Sequence, residues 1–214
     1  REAIDRRMRE HYERLWSQSD PWQSDSSELD ANRYLHQFAL LNDRRYGRVL
    51  DAGCGSGQFA RLIADISDEV VALDIAPAAI ARTRKACAGK SNVSFRVHNL
   101  MEFNPAAEGP FDLVVMSESI YSLGWLYSLF DIGWLMSQFR DALREEGRFL
   151  LVNTRGKETD YLLTPWLIDT YRDLFLNLGF DLEHEETLSG IKDSVQYDIL
   201  MSLFRKPIAS FDNR

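Results

Sequence analysis

The chain has 214 residues, with 33 acidic side chains, 25 Lys or Arg side chains and a formal net charge of −8 at pH 7. This length suits one domain with a sizeable core and is too short for two full domains. The acidic balance argues against a general affinity for nucleic-acid backbones, and no apolar run approaches the roughly 20 residues of a membrane span.

The cysteine content argues for a reducing compartment. Cys54 and Cys87 are too few for a disulfide framework, and neither they nor the four histidines show the spacing of a metal site. We therefore expect free thiols, no metal and, because no signal peptide is visible, a cytoplasmic protein.

The first 45 residues predict two helices joined by a polar loop. Ile4, Met8, Tyr12 and Leu15 recur at helical spacing within residues 1–16. Residues 17–27 are polar and interrupted by a proline, and residues 28–41 again carry apolar side chains along one side. We treat residues 1–45 as an N-terminal helical segment.

From residue 46 onward, strand and helix patterns alternate. The strands predicted from short apolar runs cover residues 48–51, 70–74, 93–98, 113–116, 148–152, 180–188 and 196–204. The main helices between them are predicted at 58–66, 78–88, a segment ending near 143, and 165–178. This order predicts an α/β fold, a three-layer αβα sandwich. Its seven-stranded sheet is mostly parallel with an antiparallel last strand. We assign residues 46–207 to this domain and 208–214 to a tail.

A glycine-rich turn follows the first strand. Asp51 is followed by Gly53, Gly55 and Gly57, and a helix begins directly after them. Glycine allows a backbone to approach a ligand closely because it has no Cβ and tolerates positive φ. About twenty residues later, Asp74 ends the second strand, where a carboxylate is placed to bind the two hydroxyls of a ribose.

The details of this turn discriminate between nucleotide ligands. The dinucleotide fingerprint G-x-G-x-x-G has a third glycine where this chain has Gln58, and no Walker Gly-Lys-Ser/Thr is present. The acid Asp51 before the turn suits a ligand with positive charge better than a pyrophosphate. S-adenosylmethionine therefore fits better than NAD or ATP.

Residues 48–57 together with Asp74 resemble motif I and the acidic strand end of the class I (Rossmann-like) S-adenosylmethionine methyltransferases. Residues 111–115 resemble the fourth strand of that family, and the resemblance covers about residues 46–207. It implies that the N-terminal helices form a lid over the cofactor. The cofactor-binding residues that it implies are Asp51, Gly53, Cys54, Gly55, Asp74, Ile75, Asn99, Leu100 and Ser117. Many members carry an acid at position 99, where Asn99 accepts the adenine amino group through its carbonyl or serves only as a turn residue.

Asp20-Pro21-Trp22 with Asp25-Ser26-Ser27, and Gly156-Lys157-Glu158-Thr159, resemble features of the NodS-type N-methyltransferases. Those enzymes methylate an amine on a chitooligosaccharide. By this resemblance Trp22 and Arg33 reach the cofactor, and Arg33 pairs with its carboxylate. The alternatives are a hydrophobic staple for Trp22 and a solvated helix face for Arg33.

Methyl transfer from a sulfonium needs mostly positioning and exclusion of water, so strongly diagnostic catalytic residues are not expected. Glu118 and Tyr121, just after the fourth strand, are our candidates for holding the acceptor, with Glu118 orienting or deprotonating it. The alternative for Glu118 is an acid favoured by a helix N-terminus.

The favoured function is methylation of an amine nitrogen on a small molecule or glycan. Methylation of oxygen and a non-catalytic module that binds S-adenosylmethionine stay open. A nucleic-acid methyltransferase is disfavoured, because Ser117-Glu118-Ser119-Ile120 stands where amino-methylating DNA enzymes carry Asn/Asp-Pro-Pro-aromatic. Gln58 counts against an NAD-dependent oxidoreductase.

Overall fold

The computed structural model describes residues 1–18, 20–23, 26–102, 104–157 and 161–208. Three of the sequence features above extend beyond these ranges. Asp25 of the N-terminal signature, Glu158-Thr159 of the second NodS-type feature and residues 209–214 of the tail lie outside the described residues.

The helices and strands follow the predicted alternation. The helices are α1 Glu2–Gln18, α2 Glu28–Leu41, α3 Gln58–Ile63, α4 Pro77–Ala86, α5 Pro105–Glu108, α6 Ile120–Gly124, α7 Leu129–Ala142 and α8 Pro165–Asn177. The strands are β1 Tyr46–Ala52, β2 Ser67–Asp74, β3 Val93–Val97, β4 Phe111–Ser117, β5 Leu143–Arg155, β6 Asp181–Lys192 and β7 Val195–Arg205. None of the helices in the described ranges combines the length and apolar character that a membrane crossing requires.

The seven strands form one sheet in the order β3-β2-β1-β4-β5-β7-β6. The neighbouring strands from β3 to β5 pair in parallel, and β7 runs antiparallel to both β5 and β6. The predicted α/β sandwich with its antiparallel last strand is confirmed. The strand order reverses between β1 and β4, and open α/β sheets bind ligands at the carboxyl ends of the strands beside such a point.

The two faces of the sheet bury separate cores. On β1, Leu50 packs in the cluster that holds Phe139 of α7, whereas its neighbour Val49 packs in the cluster that holds Phe59 of α3 and Leu41 of α2. This alternation follows from the two-residue period of a strand. Helices therefore cover both faces, and the loops at the carboxyl ends of β1, β2, β3 and β4 are left to form a site.

Several boundaries differ from prediction for identifiable reasons. Strand β5 begins at Leu143, five residues before the predicted start at Arg148, because Leu143 pairs with Phe111 across a register shift in the β4–β5 ladder. The helix predicted over 58–66 ends at Ile63 and continues as a 3-10 turn to Ile66. Strand β6 extends to Lys192, since Asp193 and Ser194 adopt the positive φ values of 51° and 64° that close a two-residue hairpin.

The N-terminal helices pack on the domain at two places. Trp16 of α1 packs with Ala76 and Ala79 at the start of α4. Leu29 and Leu41 of α2 pack in the cluster on the α3 side of the sheet. The division into a lid of residues 1–45 and a domain of 46–207 stays a prediction.

Candidate functional site

The glycine turn after β1 is held tightly against its surroundings. The N–H groups of Gly53 and Cys54 both donate to the carbonyl of Leu73, at 2.8 and 2.9 Å. Gly53 has φ of 87°, and a Cβ on it would lie 2.8 Å from the Cβ of Ser119. A Cβ on Gly55, whose φ is 54°, would lie 3.1 Å from the Trp16 ring. The turn therefore has no room for side chains, which matches the close backbone approach predicted for it.

Asp74 lies beside this turn at the end of β2. Its Oδ2 accepts from the Gly55 N–H at 3.1 Å, and its Oδ1 accepts from the Ala76 N–H at 2.9 Å. Burial raises the pKa of Asp74 to about 6, against these hydrogen bonds, which lower it. Each oxygen keeps lone pairs for a further donor, so the geometry agrees with the predicted binding of ribose hydroxyls.

Asp51 gives a direct test of whether a positively charged cofactor fits. Its Oδ2 is buried and has no hydrogen-bond partner within the described part of the chain. Burial, followed by the negative charge of Asp74, raises the pKa of Asp51 to about 7. A buried carboxylate without a cation is unfavourable and is stabilised by one. The site thus fits the ammonium and sulfonium groups of S-adenosylmethionine.

Two cavities meet at the glycine turn. The small cavity, of about 100 Å³, reaches toward the ends of β2 and β3, and its lining includes Gly53, Gly55, Asp74, Ile75, Asn99 and Leu100. The large cavity, of about 480 Å³, reaches toward β4 and β5, and its lining includes Asp51, Cys54, Arg33, Ser117, Glu118 and Tyr121. Its volume lies within the range of 300–1,000 Å³ that small-molecule sites occupy. Glu118 and Trp22 line both cavities.

Asn99 is the predicted cofactor residue whose contacts differ from expectation. Its carbonyl oxygen accepts from the Met101 N–H at 3.1 Å, and its amide nitrogen donates to Asp5 and Tyr127. The expected adenine contact therefore has to use the second lone pair of a carbonyl that is already bonded. That role for Asn99 stays a prediction.

Trp22 lies between the N-terminal helices and the candidate site. It is 44% exposed, lines both cavities and lies 5.3 Å from Trp16 between ring centroids. Tyr12 lies 6.4 Å from it by the same measure. Trp22 thus has both the packing contacts of a staple and a place beside the expected cofactor.

Arg33 is buried, so the solvated helix face is wrong for it. It is only 5% exposed, and its guanidinium donates to Asp30 at 2.7 Å and to Ser117 Oγ at 3.2 Å. The remaining Nε is buried and has no hydrogen-bond partner among the described residues. The Nε–H of Arg33 is therefore a donor that could bind an anionic group, and the pairing of Arg33 with the cofactor carboxylate stays a prediction.

Glu118 and Tyr121 are brought together at the end of β4. The Tyr121 hydroxyl donates to Glu118 Oε2 at 3.1 Å, and Arg33 Nη1 lies 3.7 Å from Glu118 Oε1. Burial raises the pKa of Glu118, opposed by the positive charge of Arg33. Glu118 has φ of 58°, which is uncommon outside glycine, and its N–H donates to the Val152 carbonyl. Such strained backbone is found preferentially at functional sites.

Some cavity-lining residues are not predicted from the sequence because they come from elements that are distant along the chain. The β6–β7 hairpin contributes Lys192 and Asp193, and Lys192 Nζ lies 2.5 Å from Asp30 of α2. Trp16 of α1 lines both cavities. Its spacing from Met8 and Tyr12 was the available signal, because residues at i, i+4 and i+8 share one helix face. No cluster of three metal-ligating side chains occurs among the described residues.

The sequence and the structure of this chain are similar to those of known methyltransferases, in agreement with the geometry of the site. A family model described as "Methyltransferase domain" matches residues 49–147. Nodulation protein S of Bradyrhizobium diazoefficiens is 31% identical over 112 residues, which are 52% of this chain and 53% of that protein. The chain thus spans about half the length of that relative. Nodulation protein S of Rhizobium tropici is 25% identical over 89% of this chain and 77% of its own length.

Among solved structures, the N-methyltransferase NodS from Bradyrhizobium japonicum WM9 in complex with S-adenosyl-L-homocysteine superimposes with a TM-score of 0.80. The identity is 20%, and the match covers 94% of this chain and 99% of that chain. At this identity the likeness shows that the fold is shared.

Proposed function

We propose that the chain is a class I S-adenosylmethionine-dependent methyltransferase and that it methylates an amine nitrogen on a small molecule or glycan. The observation that carries the proposal is the position of Glu118. It lines both cavities, and its Oε1 is buried without a hydrogen-bond partner in the described part of the chain.

The glycine turn, the small cavity and the adjoining part of the large cavity would hold the cofactor. Asp74 would bind the ribose hydroxyls, the apolar Ile75 and Leu100 would contact the adenine, and Asp51 would face the positive charge. Arg33 Nε would bind the carboxylate. When bound, S-adenosylmethionine supplies an electrophilic methyl group on a positively charged sulfur.

The large cavity would hold the charged end of the cofactor beside Asp51 and Arg33, and the acceptor in the space that remains. Its walls combine the aromatic rings of Trp22, Tyr34, Tyr121 and Tyr197 with a few polar groups, which is the usual composition of a small-molecule site. A module that only binds the cofactor has no need of a second cavity this large, so the cavity favours an enzyme.

Glu118 would orient the acceptor and take its proton. Tyr121 donates to Oε2, so Oε1, which lies 3.7 Å from Arg33 Nη1 and has no hydrogen-bond partner among the described residues, would accept an N–H of the acceptor. Glu118 would accept this proton as the nitrogen is methylated, and the cofactor sulfur would keep the electrons of the broken carbon–sulfur bond. Burial raises the pKa of Glu118, which makes it a better base than an exposed carboxylate.

A NodS-like acceptor, an amine on an oligosaccharide, is the specific substrate class that we propose to test first. It is supported by the sequence similarity to nodulation protein S and by the carboxylate at the junction of the two cavities, which suits an ammonium. We also propose that the protein works in the cytosol, where its free thiols Cys54 and Cys87 stay reduced.

The test combines binding and turnover. Calorimetric titration with S-adenosylhomocysteine is expected to give a saturable site that is lost or greatly weakened in Asp74→Ala. Transfer of labelled methyl groups is then measured on matched amine and hydroxyl acceptors, beginning with amino sugars. Labelling of amines alone supports the proposal, labelling of the hydroxyl series replaces it with oxygen methylation, and binding without any transfer supports a non-catalytic module.

A further inference from the structure

A buried polar network surrounds Asn99 at the end of the small cavity. Asn99 is 1% exposed, and its Nδ2 donates to Asp5 Oδ1 and to the Tyr127 hydroxyl, each at 3.1 Å. Its Oδ1 accepts from the Met101 N–H at 3.1 Å. The Tyr127 hydroxyl in turn donates to Asp5 Oδ1. Both ends of the Asn99 amide are thus engaged.

The partners of Asn99 determine which way its amide faces. An ionised carboxylate such as Asp5 only accepts hydrogen bonds, and Tyr127 has a single proton, which it gives to Asp5. Both groups therefore present lone pairs to Asn99 and require its NH₂ on their side. Burial, followed by the hydrogen bond to Asp5, raises the pKa of Tyr127 to about 12, so this proton stays in place at neutral pH.

We propose that Asp5 and Tyr127 are positioning residues that hold the Asn99 amide in one orientation, so that the small cavity selects a purine with an exocyclic amino group over one with a carbonyl there. The inference rests on the proposed function, because it takes the adenosyl group to occupy this cavity. With the NH₂ fixed, the Asn99 carbonyl offers its second lone pair to an amino donor. A purine carbonyl at the same place would meet that lone pair and leave two buried acceptors unpaired.

The same contacts link base recognition to the lid. Asp5 belongs to α1, and Arg1 before α1 donates through Nη2 to the Met101 carbonyl at 2.6 Å. The segment that would contact the adenine is therefore bonded to the start of α1 at two positions, Asn99 and Met101. Loss of Asp5 is expected to loosen the lid and to release the orientation of Asn99 together.

The experiment compares two ligands, S-adenosylhomocysteine and its deaminated counterpart S-inosylhomocysteine, by titration calorimetry. The wild-type chain is expected to prefer the adenosyl ligand by about tenfold or more, the value of one well-placed buried hydrogen bond. Asp5→Ala is expected to lower this ratio severalfold, and Tyr127→Phe to lower it less, since Asp5 still holds the amide. Glu10→Ala, an exposed acid on the same helix, is the matched control and keeps the wild-type ratio.

An exchange of the two groups separates orientation from folding. Asn99→Asp alone places two carboxylates side by side and is expected to weaken the adenosyl ligand strongly. Combining it with Asp5→Asn restores one donor facing one carboxylate, and the preference for the adenosyl ligand is expected to return. Such a rescue would mean that the side chain at position 5 acts through its hydrogen bond with position 99, and not only through packing.

The outcomes are distinct. A wild-type chain that binds neither ligand refutes the proposed function, and this inference falls with it. A wild-type chain that binds both equally, a ratio unchanged in Asp5→Ala and Tyr127→Phe, or an exchanged pair that folds without regaining the preference, refutes this inference and leaves the proposed function standing.

Discussion

Gly190 of β6 faces Leu29 of α2 so closely that a Cβ on Gly190 would lie 2.4 Å from Leu29 Cδ1. Leu29 is buried and lines the large cavity. The absence of a side chain at Gly190 therefore lets α2 pack closely on the hairpin, and the two elements together form one wall of the proposed acceptor site.

Gly190→Ala is expected to force Leu29 out of its rotamer and to displace α2 from the hairpin. We expect a loss of about 1 kcal/mol in the free energy of unfolding, measured with urea, as is usual for overpacking. The KM for the acceptor should rise severalfold, with little change in the affinity for S-adenosylhomocysteine. Gly133→Ala is the control, because a Cβ there meets open space inside α7 and is expected to stabilise by about 0.5–1 kcal/mol. Equal effects of the two variants would contradict the contact.

The affinity for S-adenosylmethionine is expected to rise between pH 6 and pH 8. The pKa of Asp51 is about 7 in the ligand-free protein, so near neutrality part of the population carries a proton that a cationic ligand must displace. Calorimetry in buffers of different ionisation enthalpy should detect its release. Asp51→Asn should flatten the pH dependence, whereas Asp68→Asn, at an exposed acid of β2, should not. An affinity independent of pH in the wild-type chain would refute this coupling.

The same group has an opposite effect on the stability of the ligand-free protein. Its pKa in the folded chain lies above its ordinary value of 3.8, so between these values the folded state binds more protons than the unfolded state. Asp51 therefore favours folding at low pH, and this contribution is lost as the pH rises through about 7. The urea midpoint of Asp51→Asn should accordingly depend less on pH over this range than that of the wild-type chain.

Arg148 connects the N-terminal segment to the sheet, at the end of the strands that is remote from the candidate site. Its guanidinium donates to both oxygens of Asp43, both oxygens of Glu183 and the hydroxyl of Tyr46. All five of its N–H donors are thus used. Through these bidentate contacts, Arg148 connects Asp43, which follows α2, with Glu183 on the edge strand β6.

Arg148→Met is expected to lower the free energy of unfolding by about 2 kcal/mol. This is below the 3–5 kcal/mol of a fully buried pair, because Asp43 is half exposed. The affinity for S-adenosylhomocysteine should not change. The hydrogen bond from Arg148 lowers the pKa of Asp43, so this part of the stabilisation is present above the unfolded pKa near 4 and is lost at lower pH. Arg144→Met, which breaks an exposed pair with Asp112, should cost less than 1 kcal/mol.

The sequence predicts those residues of the site that lie close to one another along the chain. The Gly53 and Gly55 turn, Asp51 and Asp74 lie within two consecutive strand ends, so their spacing along the chain fixes their proximity. Asp5 lies 94 residues from Asn99, and their contact depends on how α1 docks. No periodicity encodes that docking, which explains why the Asn99 contacts differ from expectation. The hairpin wall was missed for the same reason, although Asp193-Ser194 carried a turn signal.

Glu118 gives the sharpest test of the proposed chemistry. Its carboxylate is expected to raise the reaction rate, whereas its positive φ is expected to lower the stability of the fold. Glu118→Gln keeps the shape and removes the base. We expect kcat/KM for the amine acceptor to fall about 100-fold. The affinity for S-adenosylhomocysteine should stay the same, and the decline of the rate at acid pH should disappear. Tyr121→Phe, which removes only the hydroxyl that donates to Oε2, should shift the pH profile with a smaller loss of rate.

Glu118→Gly should remove the same carboxylate and also the strain of a positive φ. We expect its urea midpoint to lie above that of Glu118→Ala, which loses the same side-chain contacts but keeps the positive φ, since a non-glycine residue in this conformation costs about 1 kcal/mol or more. A chain that gains stability while losing turnover would mean that the strained Glu118 is kept for function. Full turnover in Glu118→Gln would instead leave Glu118 with a structural role only, and the acceptor would have to arrive with its nitrogen already deprotonated.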